Sequence, residues 1–207
     1  LARPDAELGA RVSRSANPFH LVIDGQAIDP LALPTASTDP WWQYLPSATA
    51  DFHLLQLHGP PRGEDLQALR AAGIRPVRYL APFSYIVWAD QAQLDGMSAR
   101  STLARWSGPL LPAQRVPPQS RDLQPGPMPS MALIDASSAD SVIAALSELG
   151  ASLVKRRALT PDLTLIQLTL PGERYLAAAQ VPGIYTLQHI AAGAGPRGEI
   201  SNQSVVG

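Results

Sequence analysis

Apolar residues recur along the chain in two matching series, residues 52–106 and 131–189. Each series reads as an apolar strand, an amphipathic helix that ends at a glycine, and two strands joined by a turn. A second small helix and a closing strand complete it. The helix "LQALRAAG" ending at Gly73 returns as "IAALSELG" ending at Gly150. In the second copy Val142, Ala145, Leu146 and Leu149 keep the i, i+3, i+4, i+7 spacing of a helix with one buried face. In 164–170 Ile166, Leu168 and Leu170 alternate with Gln167 and Thr169, the period of a half-buried strand. A repeat of this kind sets the architecture before any single residue does.

Taken in order, the first copy places strands at 52–57, 74–80, 85–89 and 103–110, with helices at 64–72 and from Asp90 to about Met97. Pro76 cannot donate to a strand ladder, so its strand belongs at an edge or carries a bulge. Gly96 is expected to limit the second helix. The second copy places strands at 131–134, 151–156, 164–170 and 184–190, with Ser137 or Ser138 capping the long helix. Upstream, "FHLVIDGQAIDP" reads as a hairpin turning at Asp24-Gly25. Trp41, Trp42 and Tyr44 follow among prolines and either dock this extension on a domain face or form an aromatic patch for a partner.

These readings divide the chain into an extension with a hairpin (1–50), a first unit (51–112), a proline-rich linker (113–129), a second unit (130–192) and a tail (193–207). The linker is expected to be stiff and extended, without elements of its own. Two βαββαβ units predict an α+β protein of two tandem ferredoxin-like domains. Each would leave one sheet face uncovered, to be solvated or to meet a partner.

Composition narrows the function. In 207 residues, 45% are hydrophobic and 16% charged, a globular balance, and the net charge of −1 supplies no general field toward nucleic acid or an anionic membrane. Phe52, Tyr85 and Trp88 would be the stacking residues of an RNA-binding sheet, but the second copy offers no aromatic at its matching strand. Cysteine is absent, which removes thiol catalysis and disulfides while leaving the compartment open. His53 and His58 flank one strand on opposite faces and make a poor metal pair; His189 has no acidic neighbour in sequence, and His20 reads as a solvent-facing or hydrogen-bonded strand residue. No serine lies in a G-x-S-x-G elbow. Ser152 and Lys155 match S-x-x-K by spacing only, since a regular strand points them apart. No active site and no cofactor site emerge, and the chain reads as a non-enzyme.

The order of the segments then matters. "FHLLQLHGPPRGEDLQALRAAGIRPVRYLAPFSYIVWAD" followed by "LARWSGPLLPAQRVPP" resembles the N-terminal prodomain of bacterial subtilisin-like serine proteases. The matching positions are 54–60, 71–73, 79–87 and 104–112. The likeness departs at His58, where members often carry a charge, and at Ala104-Arg105-Trp106. The second unit resembles a further inhibitor-like prodomain, and "EISNQSVVG" is similar to the stretch that leads into the protease.

This resemblance implies a propeptide that acts as intramolecular chaperone and autoinhibitor, with its sheet against the catalytic domain and its tail in the substrate cleft. The implied protease-binding residues are Asn202, Gln203, Ser204, Val205, Val206 and Gly207, with Asp162 capping a protease helix from the turn between the middle strands. It also implies a secreted or periplasmic protein whose signal peptide has been removed, monomeric apart from its cognate subtilisin-like catalytic domain. The alternative is a non-enzymatic protein-interaction module of two ferredoxin-like domains.

Overall fold

The protein is α+β, built on two four-stranded antiparallel sheets and short helices. A computed structural model describes residues 19–23, 26–32, 37–45, 49–100 and 102–190. The chain divides into two compact units, Leu1–Gln114 and Arg115–Gly207. The N-terminal extension therefore belongs to the first unit.

In the first unit, β1 (Leu21–Ile23) pairs antiparallel with β2 (Gln26–Ile28), the expected hairpin; its turn lies outside the described residues. The repeat follows as β3 (Asp51–Leu57), α1 (Gly63–Ala71), β4 (Arg75–Leu80), β5 (Ser84–Ala89), α2 (Gln91–Arg100) and β6 (Ala104–Pro109). The sheet order is β4–β5–β3–β6, so the two outer strands of the sequence flank no common neighbour. β4 lies at an edge and its register slips between Pro76 and Arg78, the two outcomes its proline allows.

Local chemistry explains the helix limits. The Arg62 N–H donates to Asp65 at 2.7 Å at the start of α1. At its end Gly73 takes φ +77°, while the Ile74 N–H reaches the Leu69 carbonyl and the Gly73 N–H that of Arg70. This is a Schellman close, and only glycine enters that region without strain. α2 opens on a reciprocal pair, Gln93 N–H to Asp90 Oδ1 at 2.7 Å and Asp90 N–H to Gln93 Oε1 at 2.9 Å. It runs past Gly96 to Arg100. A single glycine inside a helix costs only about 1 kcal/mol relative to alanine, less than the burial of Leu94 and Met97 on the same helix returns.

The second unit repeats this plan. α3 (Pro112–Arg115) ends in it, followed by a 3₁₀ turn at Pro118–Ser120. Then come β7 (Pro127–Asp135), α4 (Ala139–Glu148), β8 (Ser152–Ala158), β9 (Leu163–Pro171), a 3₁₀ turn (Gly172–Arg174), α5 (Tyr175–Ala179) and β10 (Ile184–His189). The order is β10–β7–β9–β8, the same sequence of strands as in the first unit. α4 closes at Gly150 (φ +88°) with the hydrogen bonds that close α1, Ala151 N–H to Leu146 and Gly150 N–H to Ser147. Its start differs from expectation. Ser138 holds the N-cap position but its side chain makes no capping hydrogen bond; instead the Asp135 carboxylate accepts from the Ser138 N–H at 2.9 Å and from the Ser137 hydroxyl, fixing the turn that enters the helix.

Residues 113–129 are not the extended linker the prolines suggest. Pro112 and Pro118 begin helical turns, where a missing N–H is no loss. Ala113, Arg115, Val116 and Ser120 are buried, and Pro127 and Pro129 occupy the first positions of β7, where a strand tolerates them.

Candidate functional site

In the first unit the two central strands of the sheet, β3 and β5, are covered on both faces. Leu55, Leu57, Tyr85, Val87 and Ala89 point toward Leu69, Leu94 and Met97 of the helices. On the other side Phe52 pairs with Trp88, Leu54 with Ile86 and Gln56 with Ser84. The N-terminal extension is fastened to this side. Gln56 Nε2 donates to the Phe19 carbonyl at 2.8 Å. The Arg105 guanidinium lies 4.3 Å from the Phe19 ring centre and 3.2 Å from Asp29. On the opposite, helix-side face, where His53 pairs with Val87, Tyr44 stands edge-on to His53 at 6.4 Å. Every residue of β3 is consequently buried. The expectation of one uncovered face per unit fails here because the extension occupies it. Phe52 is fully buried and Tyr85 lies in the helix-side core, so with Trp88 they form no exposed stacking surface.

The second sheet is different. Ala132, Ile134, Ile166, Leu168, Leu170 and Leu187 are buried on the helix side. The opposite face is half-exposed. Two rungs cross it by register: Arg157, Leu165, Leu133 and Thr186, then Lys155, Gln167, Met131 and Gln188. Its centre is apolar, its β10 border neutral and polar, and its β8 border basic. Lys155, Arg157, Leu165 and Gln167 line a depression of about 60 Å³ on this border.

A bulge shapes that border. The register of β8 on β9 shifts between Leu153 and Lys155, leaving Val154 unpaired. Ser152 and Lys155 then stand opposite Thr169 and Gln167, two positions on one face. A regular strand would have pointed them apart. Both are exposed and, among the described residues, no hydrogen bond joins them, so they form no serine–lysine dyad.

Of the residues expected to bind a protease, Asp162 is the one among the described residues. Asn202, Gln203, Ser204, Val205, Val206 and Gly207 lie outside the described residues. Asp162 is half-exposed in the β8–β9 turn; its carbonyl accepts from the Ala136 N–H at 2.9 Å, and its own N–H donates to Thr160 Oγ1 at 3.2 Å. That fastens Asp162 beside the C-terminal end of β7. The chain leaves β10 at the other end, where the Ile190 N–H meets the Pro129 carbonyl. Ala136, just past the end of β7, is seven residue steps from Pro129, roughly 23 Å at the rise of a strand. Asp162 and the root of the tail are thus at opposite ends of the sheet.

Among the described residues no group of histidine and acidic side chains could hold a metal ion. No described helix is long and apolar enough to cross a membrane. Residues 22–111 match a family model described as Domain of unknown function (DUF8729). The match takes in the hairpin and the first repeat and stops before α3, covering less than half of the chain. No curated protein matches it.

Docking of the extension was expected from Trp41, Trp42 and Tyr44, but its polar attachment through Arg105, Asp29 and Gln56 was not. Asp29 and Arg105 lie far apart in the chain, and nothing local marks either as a partner. The basic border of β8 was visible as Lys155-Arg156-Arg157 but had been divided between a strand and its turn.

Proposed function

We propose that the chain is the propeptide of a secreted or periplasmic subtilisin-like serine protease, acting as intramolecular chaperone and autoinhibitor rather than as an enzyme. The βαββαβ element order and the shared strand order support assigning both units to the ferredoxin-like class. The ordered motifs of residues 54–112 support the family. The observation that carries the mechanism is the half-exposed face of the second sheet, centred on Met131, Leu133 and Leu165.

In this reading the second unit lays that face on the catalytic domain, and residues 202–207 enter the substrate cleft as an added strand. A partner that binds the native-like protease and not its unfolded chain stabilises the fold being formed. The first unit, its outer face already filled, contributes recognition or support. Deleting residues 194–207 is therefore expected to abolish most inhibition of the catalytic domain, whereas Trp88→Ala leaves most of it. The reverse result would overturn the division of labour.

A second reading, a non-enzymatic interaction module of two ferredoxin-like domains, is favoured by the family match, which treats the extension and first unit as one segment without the second. A reading frame without a catalytic domain would select it.

A further inference from the structure

The two edges of the second sheet are treated differently. Along β10 the segment from Arg115 to Ser120 covers the edge: Ser120 Oγ accepts from the His189 N–H at 3.1 Å, and Arg115 Nη1 donates to the Val181 carbonyl at 3.4 Å. Along β8 no described residue does so. β8 ends the sheet order, and all seven of its residues are exposed. An edge strand presents a row of backbone donors and acceptors ready for another chain.

β8 also carries apolar side chains that a merely solvated edge does not need. Leu153 is 45% exposed and Val154 69%, and Leu159, just beyond, is 45% exposed. Between them stand Lys155, Arg156 and Arg157. Arg156 is paired with Asp140 of α4. Lys155 and Arg157 lie on the other face, two residues apart, flanking the depression over Leu165 and Gln167.

We propose that the free edge of β8 takes an extended acidic segment of a partner protein as a fifth strand, with alternate carboxylates against Lys155 and Arg157. Alternation follows from the strand period, which sends every second side chain of the added strand to the same face. The bulge at Val154 limits regular pairing to residues 155–158, so the segment is short. A second copy is a poor occupant, because antiparallel β8–β8 pairing would oppose two basic triplets, and like charges directly opposite are destabilising. This interaction goes beyond the propeptide reading: it uses the edge of the sheet rather than its face and requires no protease.

The test is a titration of the full chain with the capped hexapeptide Glu-Val-Glu-Val-Glu-Val, followed by amide NMR shifts. The expected perturbations concentrate at residues 152–159. Lys155→Glu with Arg157→Glu raises the dissociation constant on the order of tenfold or more, as expected for two lost charge-assisted contacts. Arg156→Glu has much less effect, and N-methylation of alternate peptide residues abolishes binding because it blocks strand pairing. A Lys-Val peptide that binds equally well would overturn the proposal. So would shifts located elsewhere, no shifts at millimolar peptide, or self-association through 152–158. The N-terminal stretch "RPDAEL", outside the described residues, carries acidic residues at the alternate positions Asp5 and Glu7. Asp5→Asn with Glu7→Gln must leave the free shifts of 152–158 unchanged, since a change would mean that the chain occupies its own edge, and the partner assignment would fall.

Discussion

Arg105 Nη1 lies 3.2 Å from Asp29 Oδ1 and 2.6 Å from Gln56 Oε1, joining the N-terminal extension to two strands of the first sheet. The Arg105 and Asp29 side chains are only 13% and 18% exposed, so this pair is largely shielded from solvent. A shielded, multiply bonded guanidinium is costly to remove, because its partners stay behind without it.

Arg105→Ala is accordingly expected to cost roughly 2–3 kcal/mol of unfolding free energy and to speed proteolysis within residues 19–45. Urea denaturation and limited digestion would read both. A cycle with Asp29→Ala should show that the two changes do not add, since they share one contact. Independent effects would mean that the extension is held by its apolar residues alone.

Gly172 is buried, and a Cβ there would meet the backbone oxygen of Gln124 and the side chain of Leu123. Gly172→Ala should destabilise the second unit by about 1–3 kcal/mol, the range for overfilling a close-packed site. Gly126→Ala, where a Cβ has open space, tests a different penalty, its φ of +123°. Thermal unfolding of the two variants separates steric from backbone cost.

Tyr175 is buried under the second sheet with its hydroxyl bonded to Ser130. Burial pushes its phenol above the ordinary value, and the Ser130 bond offsets part of that rise. Tyr85 is raised too, by burial first and then by the charges of Tyr79 and Asp65. A raised phenol binds its proton more tightly in the folded state. Its contribution is full below the unfolded value of about 10 and is lost as pH climbs through the higher folded value. Tyr175→Phe should therefore flatten the fall of stability above about pH 10, while costing some stability at neutral pH through the lost partner of Ser130. An unchanged alkaline limb would contradict this.

Glu173 shifts the other way. Its own N–H and that of Gly126, at 3.1 Å, hold its carboxyl below the ordinary range, with Arg174 adding to this and slight desolvation opposing it. A lowered carboxyl contributes above its unfolded value and loses that contribution as pH falls through the folded one. Glu173→Gln should soften the acid limb of a pH–stability curve and leave the alkaline limb alone.

Much of this fold was legible because its signals are local. The helix at 142–149 follows from four apolar positions, its end from Gly150, and the edge position of β4 from Pro76. What escaped the sequence depended on distant partners. Ser138 took the N-cap position of α4, but the side chain that braces that turn is Asp135, which β7 delivers to it. The prolines of 112–129 were read as stiffness, yet burial of Ala113, Val116 and Ser120 converted them into helix starts. The extension closed the first sheet through Arg105 and Asp29, a pairing that no spacing announces. At the candidate site the half-exposed face followed from alternation in β9, whereas the bulge that aligns Ser152 with Lys155 could not be read from "SLVK".

The proposed propeptide role stands or falls on refolding a denatured subtilisin-like catalytic domain with and without this chain at micromolar concentration. The chain is expected to raise the yield of active protease and then inhibit it, and Leu133→Asp with Leu165→Asp to remove both effects while the variant stays folded. A folded wild-type chain that changes neither yield nor activity would contradict it.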